Sequence, residues 1–559
     1  MFFSQLNNHQ LLREIWLYLK PFDIYQLLKV DNVTRNLCIN LNKIVSQELS
    51  LGDLDEFDEE EKERIMYQLV LCFPKLSKVD FSGGMPLNKS LKKLFNLKSV
   101  CESIEELHVK IFDDSETEKI NKLSQLKSLK IRGSKISKRG LENICKIDSI
   151  TSLDISNCHY LHGSDFPSLI ALTNLASLNL SGNRTINKNS NLWFLTTLTS
   201  LDLSYCYILI DLECLTYLTS LKSLNLSFNS CLEDTAMSNV SSLINLTFLN
   251  IKCCDKISNT GVSYLSSLMN LTDLNIGFCH RITEMSVISS LTNIISLDLS
   301  QGIARFNITD EQWVSMRSLT NITSLNLYDC GMSYNIWSFL CELTNLTSLC
   351  LAKSSITDKE VESNLSNLTT ITSLDLSSCQ IITINSLCEY LTNIVCLDLS
   401  NCCLDDNGIS CISSMTNIEK LALCSSFPTT KVDKSALFTQ MINLTDAALI
   451  HVSSLKNLKS LSIPCNNSKS TTNCSLQMLC NLIKLEKLFI FQINRYNNDE
   501  IDLSQDVVNK FVSINVFNHM VKISNSTRGR GGGASITGFK HILESRILKR
   551  DQQRRKFLS

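Results

Sequence analysis

With 44 % apolar and 19 % charged side chains over 559 residues, the chain carries enough hydrophobic surface for a large core, which excludes a disordered polypeptide. Its 53 basic and 55 acidic residues leave a formal net charge of −2, which argues against a general binder of nucleic acid or anionic membrane. Only 6 prolines and 17 glycines are present, so something other than glycine must turn the chain.

The opening, MFFSQLNNHQLLREIWLYL, is broken by His9, Gln10, Arg13 and Glu14 and does not read as a secretory signal. No later segment approaches ~18 uninterrupted apolar residues, so no membrane span is expected. The expectation is an intracellular protein, cytoplasmic or nuclear, whose 24 cysteines stay thiols. Within residues 1–45, Leu11, Leu12, Ile15 and Leu19 fall on one face of a helix. Pro21 ends it, and Asp23 caps a second helix bearing Leu27, Leu28 and Val30. One reading is a plain helical cap that shields the first repeat from water. The other rests on Leu11, Glu14, Ile15, Tyr18, Leu19, Pro21, Asp23, Leu27, Val30, Arg35 and Leu37. In these residues the segment resembles an F-box, the helical module that docks SCF-type cullin ubiquitin ligases through their adaptor. The resemblance implies an adaptor-facing set of Leu11, Ile15, Leu19, Pro21, Leu27 and Val30. Residues 46–100 are read as linker helices and a first weak repeat.

From residue 101 to 495 the phrase Leu-x-x-Leu-x-Leu returns, as at Ile150–Ile155, Leu198–Leu203, Leu221–Leu226 and Ile371–Leu376. Most successive starts lie 23 to 25 residues apart, the period of leucine-rich repeats. This predicts an α/β solenoid, a horseshoe with a parallel concave β-sheet and convex helices. Alternation places Leu153 and Ile155 inside and Ser152, Asp154 and Ser156 outside. Segments such as Gly261–Leu268 carry helical spacing and form the convex layer. A fixed polar position follows each strand: Cys158, Asn183, Cys206, Asn229, Cys254, Cys279, Cys330, Cys379, Cys402 and Asn466. Buried backbone groups at the turn need partners, and a ladder of amides and thiols supplies them. The lines beginning Cys254-Asp-Lys-Ile257 and Cys279-His-Arg-Ile282 resemble the cysteine-containing leucine-rich-repeat subfamily, whose solenoids commonly present substrates to a ubiquitin ligase. Triplets such as Asn245-Leu246-Thr247 match a glycosylation acceptor but recur as part of the repeat.

The outward columns are small serines beside Asp and Asn, either a bland hydrated repeat surface or an acidic groove for a Lys/Arg-rich segment. Candidate contacts are Asp154, Asp202, Asp298, Asp375 and Asp398, with Phe248, Lys252 and Tyr328 where the serine pattern breaks. A 40-residue spacing between repeat starts near Leu423 and Leu458 predicts a loop containing Phe427 and Pro428. Residues 496–559 read as a C-terminal cap and tail, with a flexible break at Arg528–Gly533. The basic end beyond it suits nucleic-acid binding, a nuclear address, an acidic partner or a plain solvated helix.

No phosphate-binding, zinc-protease or nucleophile-elbow motif is present in the sequence, and no two cysteines have C-x-x-C spacing. No catalysis, metal or cofactor is expected. The leading expectation is a substrate-recognition subunit of an SCF-type ligase. It would bind the adaptor and cullin scaffold through the cap and a target protein through the solenoid. The alternative is a protein-interaction scaffold or sensor with no ligase behind it. Either way a monomer within a larger complex is expected, with no membrane or specific nucleic-acid partner.

Overall fold

The computed structural model describes residues 48–50, 77–80, 101–187, 190, 192–210, 212–301, 310–331, 334–381, 383–424, 444–465, 479–482, 484–485, 487–492 and 521–525. The proposed adaptor-docking residues Leu11, Ile15, Leu19, Pro21, Leu27 and Val30 lie outside these, as do Asn466, the segment around Phe427 and the basic tail.

Two compact units make up the chain, Met1–Ile322 and Thr323–Ser559. In the first, short strands such as Ser152–Asp154, Ser177–Asn179, Ser200–Asp202, Ser223–Asn225, Phe248–Asn250, Asp273–Asn275 and Ser296–Asp298 pair in parallel, each with the next. In the second, Ser324–Asn326, Ser348–Cys350, Ser373–Asp375, Cys396–Asp398, Lys420–Ala422 and Ser460–Cys465 do the same. Register is in phase with the repeat, so Leu201, Leu224, Leu249 and Leu274 stand side by side. These leucines are buried, as are Leu203, Leu226, Ile251 and Ile276 one step further on. A single repeat has no way to cover this face, so stacking neighbours closes the core. The architecture is the leucine-rich-repeat solenoid that the period predicts.

The return limb of each repeat is helical. Within the first unit, the 25-residue repeats starting at Leu221 and Leu246 use α-helices, Asp234–Val240 and Asn259–Ser263. The 23-residue repeats starting at Leu198 and Leu271 use 3-10 turns, Glu213–Tyr217 and Ile288–Ser290.

Neighbouring helices are latched at their N-termini. Asp234, the first residue of its helix, accepts from the Ser258 backbone amide at 2.7 Å and the Ser258 hydroxyl at 2.6 Å. Asp114 engages Ser137 and Asp406 engages Thr445 in the same way. The latch explains Gly261, where a Cβ would fall 2.4 Å from Asp234 Oδ1. Gly261→Ala is expected to destabilise by about 1–2 kcal/mol through this overlap. After Asp234→Ala the same change should be neutral or stabilising, because alanine is the better helix former. A double-mutant cycle read by urea unfolding checks this, and equal costs in both backgrounds would refute the latch.

One convex pair departs from the expectation that every cysteine is a thiol. Cys388 on Asn385–Tyr390 and Cys411 on Ser410–Ser414 are joined as a disulfide, with Cα atoms 6.1 Å apart. They lie 23 residues apart in adjacent repeats, so stacking brings equivalent positions within bridging range.

Candidate partner-binding rim

The strand ends in a turn built without glycine in most repeats. Asn157, Tyr205, Phe228, Cys253, Phe278, Gln301, Asp329, Lys353, Ser378 and Asn401 all have φ between 50° and 61°. Such a conformation is unfavourable for an L-residue. It is offset by backbone hydrogen bonds to the next repeat, such as Tyr205 N to Ser227 O at 3.0 Å and Phe228 N to Lys252 O at 2.8 Å. These residues are what turns a chain so poor in glycine.

Beside the turn runs the expected ladder. Asn229 Nδ2 donates to Leu203 O in the preceding repeat and to Leu226 O in its own, both at 2.8 Å. Asn183 does the same with Ile155 O and Leu180 O. The thiols of Cys254, Cys279, Cys379 and Cys402 reach the preceding repeat's carbonyl at 3.2, 3.1, 3.3 and 3.2 Å. Two further ladders escaped the sequence reading. Asn245, Asn270 and Asn293 donate side-chain amides to Thr219 O, Ile244 O and Met269 O of the repeat before. Thr199, Thr247 and Thr272 donate hydroxyls to Ala176 O, Lys222 O and Thr247 O. The recurring Asn-Leu-Thr triplet is therefore structural, both polar residues bonding one repeat to the next.

The Asp and Asn column is similarly engaged. Asp154, Asp202, Asp298, Asp375 and Asp398 each accept, through Oδ1, the backbone amide two residues on, at 2.8–2.9 Å. The other oxygen of Asp202 takes Asn225 Nδ2 at 3.1 Å, and that of Asp298 takes Asn275 Nδ2 at 3.0 Å. Burial pushes the Asp398 carboxyl up, against the pull of its bonds from Ser400. The third column of the sequence reading is corrected: Ser156, Ser204, Ser227, Ser300 and Ser400 are buried rather than outward. A three-residue strand leaves no room for a third alternating position before the turn redirects the chain.

What remains available to a partner are the residues that break the pattern. Phe248 stands on the concave face, 37 % exposed. Lys252 lies with its ammonium 4.9 Å from the Phe278 ring centroid. Tyr328 is 5.9 Å from the Lys353 ammonium, which also meets Asp329 at 2.7 Å. Residues absent from the sequence reading join them. Tyr205 and Phe228, both at the positive-φ turn, stack with centroids 4.3 Å apart and planes at 8°. Tyr207 meets Tyr205 edge-on at 6.2 Å, and the Arg184 guanidinium lies 5.9 Å from the Tyr207 centroid. Their sequence signal was an aromatic residue immediately before the ladder residue, in Tyr205-Cys206, Phe228-Asn229 and Phe278-Cys279. Among the described residues, no cluster of His, Cys, Asp and Glu is arranged to hold a metal.

The solenoid and its ladders define a leucine-rich-repeat fold. The family model "Leucine Rich repeat" matches residues 217–241, 242–266, 367–383 and 390–413. Among solved structures, an internalin from Listeria monocytogenes is 21 % identical, with a TM-score of 0.37, over 63 % of this chain and 88 % of its own. A leucine-rich-repeat protein of Leptospira interrogans is 17 % identical, with a TM-score of 0.42, over 68 % and 91 %. The functional domain of InlJ from Listeria monocytogenes, which includes a cysteine ladder, is 18 % identical, with a TM-score of 0.39, over 69 % and 75 %. A search of the curated proteins finds no match. No helix among the described residues is long and apolar enough to cross a membrane.

Proposed function

We propose that the chain is a non-catalytic scaffold that holds a partner protein on the surface of its solenoid. One contrast carries this reading. The polar residues at repeated positions serve bonds within and between repeats, whereas Tyr205, Tyr207 and Phe248 are large aromatic residues on this face that the fold leaves exposed. Tyrosine, tryptophan and arginine are the side chains that anchor protein interfaces.

The finer reading is a substrate receptor of an SCF-type ubiquitin ligase, supported by the pattern of residues 7–37. In it, Leu11, Ile15, Leu19, Pro21, Leu27 and Val30 meet the adaptor and the solenoid holds the target. Rate enhancement would come from proximity alone. Expression of the tagged full chain in eukaryotic cells, beside an Ile15→Asp, Leu19→Asp variant, separates the two. Recovery of adaptor and cullin by the wild type alone is the result expected of a ligase. Their absence from a folded chain that recovers other proteins leaves the scaffold without a ligase.

A further inference from the structure

Tyr205, Phe228 and Phe278 occupy the positive-φ turn, at φ of 58°, 61° and 61°. An aromatic L-residue there is costlier than the glycine found at Gly133 and Gly182, and burial does not compensate, since Tyr205 is 41 % exposed. The turn itself is held by backbone hydrogen bonds to the next repeat, so what the aromatic side chains add is ring surface exposed on the rim.

The cations beside these rings supply the second observation. Among the described residues of the first unit, most ion pairs join neighbouring repeats, as in Lys127 with Glu105, Arg139 with Glu118 and Lys256 with Glu233. Among the described residues, neither Arg184 nor Lys252 meets a carboxylate; each instead lies over an aromatic ring. The second unit has a cation–ring pair near the same turn, with the positions of ring and cation exchanged relative to Lys252 and Phe278. There Lys353 lies over Tyr328, and the chain itself provides the carboxylate of Asp329 at 2.7 Å. At Arg184 and Lys252 the aromatic ring and the cation are present and the acid is missing.

We propose that this rim docks an extended, carboxylate-bearing peptide segment of the partner protein. Its Asp or Glu side chains meet Lys252 and Arg184, and its apolar side chains lie against Tyr205, Tyr207 and Phe228. The proposal rests on the scaffold reading and names the partner's chemistry. The two cations are three repeats apart, roughly 14 Å at sheet spacing, which an extended chain covers in about four or five residues. A nucleic-acid strand fits less well. Asp154, Asp202, Asp273 and Asp298 line the adjoining strands, and they repel a polyanion more than a peptide whose acids are spaced apart.

The test uses the full chain as bait for displayed random peptides of about 12 residues, followed by anisotropy titration of the enriched sequences. The expected result is Asp or Glu at a spacing of about four or five, interleaved with aromatic or aliphatic residues. Binding should fall at least about tenfold in Lys252→Gln with Arg184→Gln and weaken as NaCl rises from about 50 to about 300 mM. Lys420→Gln, in the second unit, should bind as the wild type does. Melting curves confirm that each variant folds. Enriched peptides that bind the Gln variant as tightly as the wild type overturn the rim proposal and leave the scaffold reading standing. Retention of poly(U) instead of peptides, in a Lys252-dependent manner, overturns it in favour of nucleic acid. A folded chain that selects no peptide and recovers no protein from cells brings down both readings.

Discussion

Replacing Asn229 with alanine is expected to cost about 2–4 kcal/mol, because two buried backbone acceptors lose donors at once. The amide nitrogen bonds Leu203 O and Leu226 O at 2.8 Å each, and the side chain is fully buried. Leu226 O keeps the Cys254 thiol at 3.2 Å, so the larger penalty falls on Leu203 O. Asn229→Cys should cost less than about 1 kcal/mol, since Cys206 and Cys254 hold the same position in the flanking repeats. Part of the compensation is local: Asn229 Oδ1 is buried without a partner, and a thiol carries no such orphan. Asn229→Asp should be the worst of the three, exchanging two donors for a buried charge beside carbonyl oxygens. Urea unfolding ranks the variants, and hydrogen exchange at Phe228 and Ile251 shows whether the loss is local to the flanking repeats. An alanine variant that unfolds with the wild type would reduce the ladder to ornament.

How far the sequence spoke depends on how far a feature repeats. Leu224 and Leu226 could be placed inside from spacing alone, and Asn229 and Cys254 could be placed on a ladder because a turning strand must satisfy buried backbone. Period-two alternation then misplaced Ser156 and Ser300, because the strand ends at Asp154 and Asp298 and the alternation does not extend past it into the turn. The second and third ladders looked like bland repetition or a glycosylation pattern. Asn245 meets Thr219 O only across a stacked neighbour, 26 residues away. The same holds for the rim: Tyr205 and Phe228 lie 23 residues apart in sequence, and nothing in either residue alone shows that their rings stack. Cys388 and Cys411 share that separation, so aligning the repeats in columns would have brought both pairs together.

Those columns also set the response to alkali. Burial pushes the ladder thiols of Cys158, Cys206, Cys254 and Cys379 up to about 12, against the pull of backbone hydrogen bonds. Burial drives Cys279 and Cys402 strongly in the same direction. In the unfolded chain these thiols ionise near 9.0. A folded pKa above the unfolded one means that the stability is whole below pH 9 and is lost as pH climbs toward the folded value. Each thiol then costs about 1.4 kcal/mol per pH unit. The four ladder thiols described in the first unit, Cys158, Cys206, Cys254 and Cys279, together cost it about 5–6 kcal/mol per unit, and Cys145, also pushed up to about 12 by burial, adds to this. Domains hold only about 5–15 kcal/mol in all, so cooperative unfolding is expected within about one to three units above pH 9. Cys254→Asn with Cys279→Asn keeps amide donors on the ladder, as Asn183 and Asn229 do, and removes two titrating groups. The alkaline midpoint, followed by circular dichroism, should rise by about one pH unit in that variant. An unchanged midpoint would mean that the thiols are not what alkali attacks. The same burial predicts that these thiols resist alkylation at pH 8 until the chain unfolds, because the thiolate is the nucleophile and the folded chain holds almost none.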